Sequence, residues 1–396
     1  MAEDKKRIKL NMGKFLKIIP ERLKRIKNSS DDDMKPLYSY KPNALAAAIH
    51  PKEQFVIVGN IEKLCSDTLL FTLLPDKEKG TSSLSPFQAG QYISVSVSSG
   101  KRTYSRPYSI CSSPSEFADK YQIAVKRTDG GVVTGILHEE IKQNDKLTVS
   151  DPCGSFTYEP LRDAKTVIGC AGGVGITPFI SMIRAVKDGM EDFSLTLLYG
   201  CKKPQDALFR DLLDKINDPR IKIVYVFEEG AEDNCEKGII NAELIKKYAP
   251  ADKYSLFVCG PHNMYTHIEK EAEKLGIRRK YLREDARGQM IHPEKEPDFY
   301  PAENGDYAVT VISSSAKTEL RCKSGETLLS AMERAGVTAP SRCRSGECGF
   351  CHSRLVSGVC YTPARADGRR AADKVYGYVH PCCAFPRSDI VIEIKA

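Results

Sequence analysis

The chain has 396 residues, 41% of them hydrophobic and 28% charged, which is too long for one ordinary core and fits two or three domains. No apolar run approaches the ~20 residues that a membrane-spanning helix needs, so an integral helical membrane protein is excluded. The net charge of +7 is carried by residues 1–27, where ten Lys or Arg face only Glu3, Asp4 and Glu21; a near-neutral remainder argues against nucleic acid as a partner.

Fourteen cysteines are scattered along the sequence without a secretory h-region at its start, so a reducing cytoplasm is expected. Glu3 and Asp4 count against a mitochondrial transit peptide, since such peptides avoid acids. Met12, Phe15, Leu16, Ile19, Leu23 and Ile26 recur at helical spacing between the basic residues, with Pro20 as a kink. This predicts a basic amphipathic helix inside an extension covering 1–52, suited to an anionic membrane surface or an acidic partner.

Over 53–160 the pattern changes to short strands, at 55–58, 69–73, 92–97, 121–125 and 147–149, separated by Gly, Ser, Pro and Asp clusters. Evenly spaced strands with turn signals predict an antiparallel β-barrel. Over 161–288 strands at 166–170, 195–199, 221–226 and 256–258 alternate with helical stretches at 178–187, 207–216, 242–247 and 264–274, which predicts an α/β unit with a parallel sheet. Residues 289–302, with Pro293, Pro297 and Pro301, read as a linker. The unit at 303–396 opens with a hairpin at 307–312 and 319–322 and a helix at 327–335 before a cysteine-rich loop, an α+β arrangement.

The most specific motif is Cys343-Arg-Ser-Gly-Glu-Cys348-Gly-Phe-Cys351, followed about thirty residues later by Cys382 and Cys383. C-x4-C-x2-C with a distant fourth cysteine is the plant-type [2Fe–2S] spacing. Iron in such clusters is held by soft anionic sulfur, and Gly346 and Gly349 let backbone N–H groups turn toward it. A zinc site fits less well, because only Cys348 and Cys351 form a CxxC pair. A Rieske centre would replace two cysteines by histidines, which leaves His352 and His380 without a task. The stretch Pro381-Cys-Cys-Ala-Phe-Pro386-Arg-Ser-Asp389 resembles the terminal segment of plant-type ferredoxins, which implies a β-grasp domain. Aligned on Pro386, the resemblance makes Cys382 the fourth ligand and leaves Cys360 and Cys383 as spectators.

Arg106-Pro107-Tyr108-Ser109 stands at the end of a barrel strand, upstream of a nucleotide-binding pattern. It resembles the flavin motif of the ferredoxin–NADP reductase superfamily. That resemblance implies Arg106 on a flavin phosphate, Tyr108 against the isoalloxazine and Ser109 at the flavin N5. Gly131, Val132, Val133 and Thr134 then lead into a helical stretch at 135–141, offering a hydroxyl and free amides to phosphate.

A strand from Thr166 runs into Gly172, Gly173 and Gly175 and then into a helix opened by Thr177 and Pro178, which brings backbone N–H groups up to a pyrophosphate. Pro178 occupies the place of a third glycine, and no acid ends the next strand at Tyr199, so this is not the standard Rossmann fingerprint. It looks instead like the NAD(P) loop of the same superfamily, in which Thr177 approaches the nicotinamide. Cys259-Gly260-Pro261 matches the superfamily's Cys-Gly-Pro, with Cys259 beside the site of hydride transfer, although a buried structural cysteine is the commoner fate of this residue type. Glu284 resembles the late glutamate near the flavin, with Ala286 where an aromatic is usual.

The order barrel, nucleotide domain, ferredoxin is that of phthalate dioxygenase reductase-like proteins and of the reductases of phenylacetyl-CoA epoxidase and hybrid-cluster protein. The resemblance implies that hydride passes from NADH or NADPH to FAD, with FMN as the alternative. Single electrons then reach the [2Fe–2S] cluster and a separate terminal oxidoreductase or oxygenase-type protein. Glu228 and Glu229 would repel a 2′-phosphate and favour NADH; Lys202 and Lys203 argue the other way. A second reading is an electron-transfer subunit docked on a membrane or scaffold through residues 1–27.

Overall fold

A computed structural model describes residues 50–394 apart from 101, 231, 287 and 315, together with positions 20, 45 and 46. Apart from Pro20, the basic segment read as an amphipathic helix lies outside the described residues.

Six antiparallel strands form the first sheet: β1 (Glu53–Cys65), β2 (Thr68–Pro75), β3 (Tyr92–Ser99), β4 (Arg102–Ser109), β5 (Tyr121–Lys126) and β6 (Lys146–Ser150), in the order β4-β3-β6-β1-β2-β5. Val56 and Val58 of β1, Phe71 and Leu73 of β2, and Ile93 and Val95 of β3 are buried at every second position, the period that points one face of a strand inward. A bridge between Ile110, just past β4, and Ile123 of β5 joins the two edges into a barrel. The first strand runs far beyond the expected 55–58, because its second half is held by pairing with β2 rather than by burial. Helix α1 (Val132–Glu139) packs Val133, Ile136 and Leu137 on the barrel core. It starts at Val132 rather than at the expected Gly135, with Gly131 as its N-cap.

The second sheet is wholly parallel, with strands β7 (Thr166–Gly172), β8 (Ser194–Cys201), β9 (Ile221–Phe227), β10 (Glu236–Lys237), β11 (Ser255–Cys259) and β12 (Leu282–Glu284) in the order β10-β9-β8-β7-β11-β12. Its helices are α2 (Thr177–Lys187), α3 (Arg210–Leu213), α4 (Ala242–Tyr248) and α5 (His262–Lys274). The helical stretch expected at 207–216 shrinks to four residues, because Phe209 takes the left-handed conformation (φ 59°), which an α-helix cannot contain. Leu70 and Cys111 from the barrel share one buried cluster with Phe179 and Met182 of α2. Arg184 of α2 donates to the Cys111 carbonyl (2.8 Å). The barrel and the parallel sheet are thus joined by core packing.

The third sheet has strands β13 (Asp306–Ile312), β14 (Lys317–Lys323), β15 (Ser353–Ser357), β17 (Tyr378–Val379) and β19 (Ile390–Glu393) in the order β14-β13-β19-β15-β17. A small ladder pairs β16 (Cys360–Tyr361) with β18 (Phe385–Pro386). Helix α6 (Leu328–Arg334) buries Leu328, Ala331 and Met332 against Val309, Val311 and Ile392, the β-grasp arrangement. The segment 289–302 is not a free tether. Met290 is buried beside Tyr361 and Phe385, and Asp298 accepts from the Ala364 N–H at 2.8 Å.

Candidate active site

In the parallel sheet the chain leaves β7 in one direction toward β8 and β9 and returns on the other side as β11 and β12. The gap beyond the carboxyl ends of β7 and β11 is therefore a topological switch point, where open α/β sheets bind ligands. Gly172 ends β7 and Cys259 ends β11. Gly175 sits so close to β11 that a Cβ there would lie 2.2 Å from the Cys259 carbonyl oxygen, so only glycine lets the turn pass. A cavity of about 560 Å³ opens here, lined by Gly172, Gly173, Gly200, Lys202, Glu228 and Pro261, and on the barrel side by Thr68 and Lys126. Gly175, Thr177, Pro178 and Gly260 do not line it: Thr177 and Pro178 are buried in the first turn of α2, where the Thr177 hydroxyl donates to the Val174 carbonyl (3.0 Å).

Ser109, the last residue of β4, reaches this switch point from the barrel. Its hydroxyl donates to Asp285 Oδ2 (3.2 Å), and the Cys259 thiol donates to the same oxygen (3.3 Å). The Ala286 N–H donates to Asp285 Oδ1 (2.7 Å). Burial raises the Asp285 carboxyl to about 6, against the lowering effect of its hydrogen bonds with Ala286, Cys259 and Ser109. Burial and then the neighbouring Asp285 carboxylate push the Cys259 thiol well up, so it remains a thiol.

Glu284 accepts from Arg279 Nη2 at 3.1 Å, with its side chain 9% exposed. The carboxylate that meets Ser109 and Cys259 is its neighbour Asp285, a residue the sequence did not single out. Successive side chains of a strand point to opposite faces of the sheet; Glu284 pairs with Val258, so the next residue, Asp285, falls on the face of Cys259. The available signal was an acid one step past Glu284, beside the strand carrying Cys259.

In the flavin motif, Tyr108 has its hydroxyl buried with no hydrogen-bond partner among the described residues. Arg106 uses Nη1 on the Ser105 carbonyl (2.7 Å) and on Glu333 (3.2 Å), while its Nε and Nη2 make no hydrogen bond among the described residues. An unsatisfied buried hydroxyl and a free guanidinium edge fit an aromatic cofactor carrying a phosphate. At the start of α1, Val133 is buried in the barrel core and Val132 is exposed. Thr134 Oγ1 is engaged with Thr128 and with the Gly131 carbonyl (3.2 Å).

The cysteine loop folds back on its own sulfurs. The N–H groups of Ser345 and Cys348 both point at Cys343 Sγ (3.4 Å each), and that of Phe350 at Cys348 Sγ (3.5 Å). Gly346 takes φ 86°, and a Cβ there would lie 1.9 Å from the Ala366 carbonyl oxygen; no other residue fits. Cys351 and Cys382 sulfurs are 3.4 Å apart, and hydrogen bonds from Cys348 and then Cys382 hold the Cys343 thiol far below its ordinary range. Cys383 turns its thiol to the His380 carbonyl (3.4 Å). The Ser345 hydroxyl is buried without a partner among the described residues. No group of three or more His, Cys, Asp or Glu among the described residues is placed around a single ion, whereas a [2Fe–2S] cluster spreads its ligands over two irons. Four converging sulfurs with N–H donors fit that cluster.

A second cavity of about 240 Å³ has Tyr92, Phe156, Glu284 and Asp285 on one side and Cys343 and Cys348 on the other. The three sheets therefore define a modular redox protein, with a barrel for flavin, a parallel sheet for a nicotinamide nucleotide and a cysteine-loop domain. Family models agree unit by unit: an oxidoreductase FAD-binding domain matches residues 56–158, an oxidoreductase NAD-binding domain 170–270, and a 2Fe-2S iron-sulfur cluster binding domain 311–387.

The chain is 30% identical over 308 residues to NADH oxidoreductase HCR of Escherichia coli (strain K12), covering 78% of this chain and 89% of that one. It is 26% identical to the glycine betaine monooxygenase reductase subunit of Chromohalobacter salexigens, covering 78% and 87% of the two chains. The solved structure of phthalate dioxygenase reductase superposes with a TM-score of 0.62 at 25% identity, over 86% of this chain and 98% of that one. The chain belongs to this family of three-unit flavin iron–sulfur reductases. It is an NAD(P)H-dependent electron-transfer oxidoreductase, carrying electrons through FAD to a [2Fe–2S] cluster and on to a separate redox protein. FAD, rather than FMN, is the flavin that the barrel's family model names.

Proposed function

We propose that this reductase serves a terminal oxygenase, and that its electron path runs from the 560 Å³ cavity past Ser109, Cys259 and Asp285 to the cysteine loop. The observation that carries the path is the smaller cavity, which has Asp285 and the cluster-loop residues Cys343 and Cys348 on its walls. The oxygenase assignment is supported by relatives that include the glycine betaine and carnitine monooxygenase reductase subunits.

When bound, the flavin accepts two electrons as hydride and gives them up singly. The residues do the rest. Arg106 presents its free edge to the flavin phosphate, with the Gly131, Val132, Val133 and Thr134 turn beside it, and Pro107 and Tyr108 pack on the ring. Ser109 would turn its hydroxyl proton, donated to Asp285 in this structure, to the ring's edge. Gly172, Gly173, Gly175, Thr177 and Pro178 shape the nucleotide loop, while Cys259, Gly260 and Pro261 close the nicotinamide end and exclude water. Cys343, Cys348, Cys351 and Cys382 hold the cluster. Glu284, tied to Arg279, would fix the strand end that carries Asp285.

NADH is the preferred donor in this reading. Glu228 stands in the cavity wall, while Lys202 and Lys203 both face Glu229, at 3.7 and 3.5 Å. Residues 1–27 would dock the protein on its partner or on an anionic membrane in a cytoplasmic setting; no helix among the described residues is long and apolar enough to cross one.

Purified protein is expected to carry one flavin and one [2Fe–2S] cluster per chain, read by absorbance, iron and acid-labile sulfide. Zinc without iron or sulfide would refute the cluster.

A further inference from the structure

The ferredoxin unit meets the barrel along β3 and β4. Ser94 donates to the Arg342 carbonyl (3.1 Å), the Ser105 and Ser341 hydroxyls are 2.7 Å apart, and Arg342 pairs with Asp151 (2.5 Å). In the middle of this boundary sits Glu333 of α6, with its side chain only 7% exposed. Its carboxylate takes a two-pronged pair from Arg344 of its own unit (2.8 and 2.6 Å). The same carboxylate faces Arg106 Nη1 of the barrel at 3.2 Å and the Ser105 N–H at 3.4 Å. Arg344 directly follows Cys343, and Arg106 opens the flavin motif. One carboxylate thus joins the residue beside a cluster ligand to the first residue of the flavin motif.

We propose that Glu333 is the positioning residue that seats the ferredoxin unit on the flavin motif and thereby sets how closely cluster and flavin approach. The inference rests on the flavin and cluster assignments made above. The buried Arg344 guanidinium and the half-buried Arg106 guanidinium, from different units, meet at this point, and Glu333 is the anion between them. Its loss leaves like charges facing each other in a poorly hydrated boundary, the costly way to break a buried pair. The serine contacts and the Arg342–Asp151 pair remain, so the unit loosens without leaving. Glu333 touches only Nη1 of Arg106, and the edge free for a phosphate is untouched.

The test uses full-length holoprotein mixed anaerobically with NADH, following flavin and cluster bleaching separately. In Glu333→Gln the flavin phase is expected to be unchanged and the cluster phase to slow roughly 10–100-fold, the scale for a reacting pair held out of place. The cluster's EPR spectrum and midpoint potential should match the wild type, and Glu333→Asp should recover part of the rate. A readout independent of turnover is backbone hydrogen exchange, expected to rise in β4 and in residues 328–345 together. An unchanged cluster phase with unchanged exchange overturns the inference. So does loss of the EPR signal in Glu333→Gln, because Glu333 would then act through Arg344 on the loop's own folding. A wild type lacking flavin or cluster signals would sink the functional reading instead, so the two failures are distinguishable.

Discussion

The cysteine loop and Asp285 of the Ser109–Cys259–Asp285 junction line the same cavity, but loop and junction are held in opposite ways. Three of the four cysteines proposed to hold the cluster lie within residues 343–351, and the loop's own N–H groups orient the sulfurs. At the junction, Ser109 and Asp285 are 176 positions apart, and Cys259 and Asp285 are 26 apart. Their meeting depends on the core that joins barrel to parallel sheet and on the register of β12. A loop that carries its own donors tolerates shifts elsewhere, whereas a junction of strand ends registers any slip between the units.

The largest effect is expected inside the loop. Cys382→Ser should abolish the cluster, while Cys383→Ser should leave its visible and EPR spectra intact, since the Cys383 thiol is turned to the His380 carbonyl. The reverse result would move the fourth ligand by one residue.

At the junction, Asp285→Asn should keep both cofactors yet slow flavin reduction by NADH roughly 10–100-fold, through misplacement of Ser109 and Cys259. Stopped-flow mixing measures it. The Asp285 carboxyl is raised from its ordinary 3.8 to about 6, so the folded protein holds a proton that the unfolded chain has released. The stability this group contributes is full below about 3.8 and is lost as pH rises through about 6. Denaturant melts should therefore show the wild type losing stability relative to Asp285→Asn as the pH climbs across that window, and parallel pH profiles would show that Asp285 is not buried as described.

A smaller effect concerns the nucleotide. Glu228→Gln should narrow the preference for NADH over NADPH by roughly two- to tenfold in kcat/KM, the range for one charge near a partly solvated phosphate. A wild type that prefers NADPH contradicts the premise. The smallest effect on chemistry is expected from deleting residues 1–35. NADH-dependent flavin reduction should be unchanged, while salt-sensitive binding to anionic vesicles or to the partner weakens. Loss of flavin on truncation would show that the extension supports the barrel.

What was legible in the sequence follows the same division. The cysteine spacing, the strand–glycine–helix turn at Gly172 and the alternation of strands and helices are local patterns, and each marks its unit directly. The barrel's first strand extends beyond 55–58 because its second half is held mainly by pairing with β2, with Ile61 and Leu64 only partly buried, a weak hydrophobic signal. The helix after Ala207 was overextended because the left-handed turn at Phe209 has no signature in an aromatic residue. Asp285 and Glu333 were passed over for a common reason. Each matters through a partner in a distant segment, and a single acid among many carries no mark of which face it will occupy.

Electrons enter this protein at the flavin and leave through the cluster. Cys343→Ser protein, saturated with flavin, separates the two events. NADH-dependent reduction of ferricyanide should survive, because a small acceptor draws single electrons from the flavin directly. Reduction of cytochrome c or of the terminal partner should fall sharply, because a protein acceptor needs the cluster as its exit. Cluster-free protein that reduces its partner at the full rate would contradict the account.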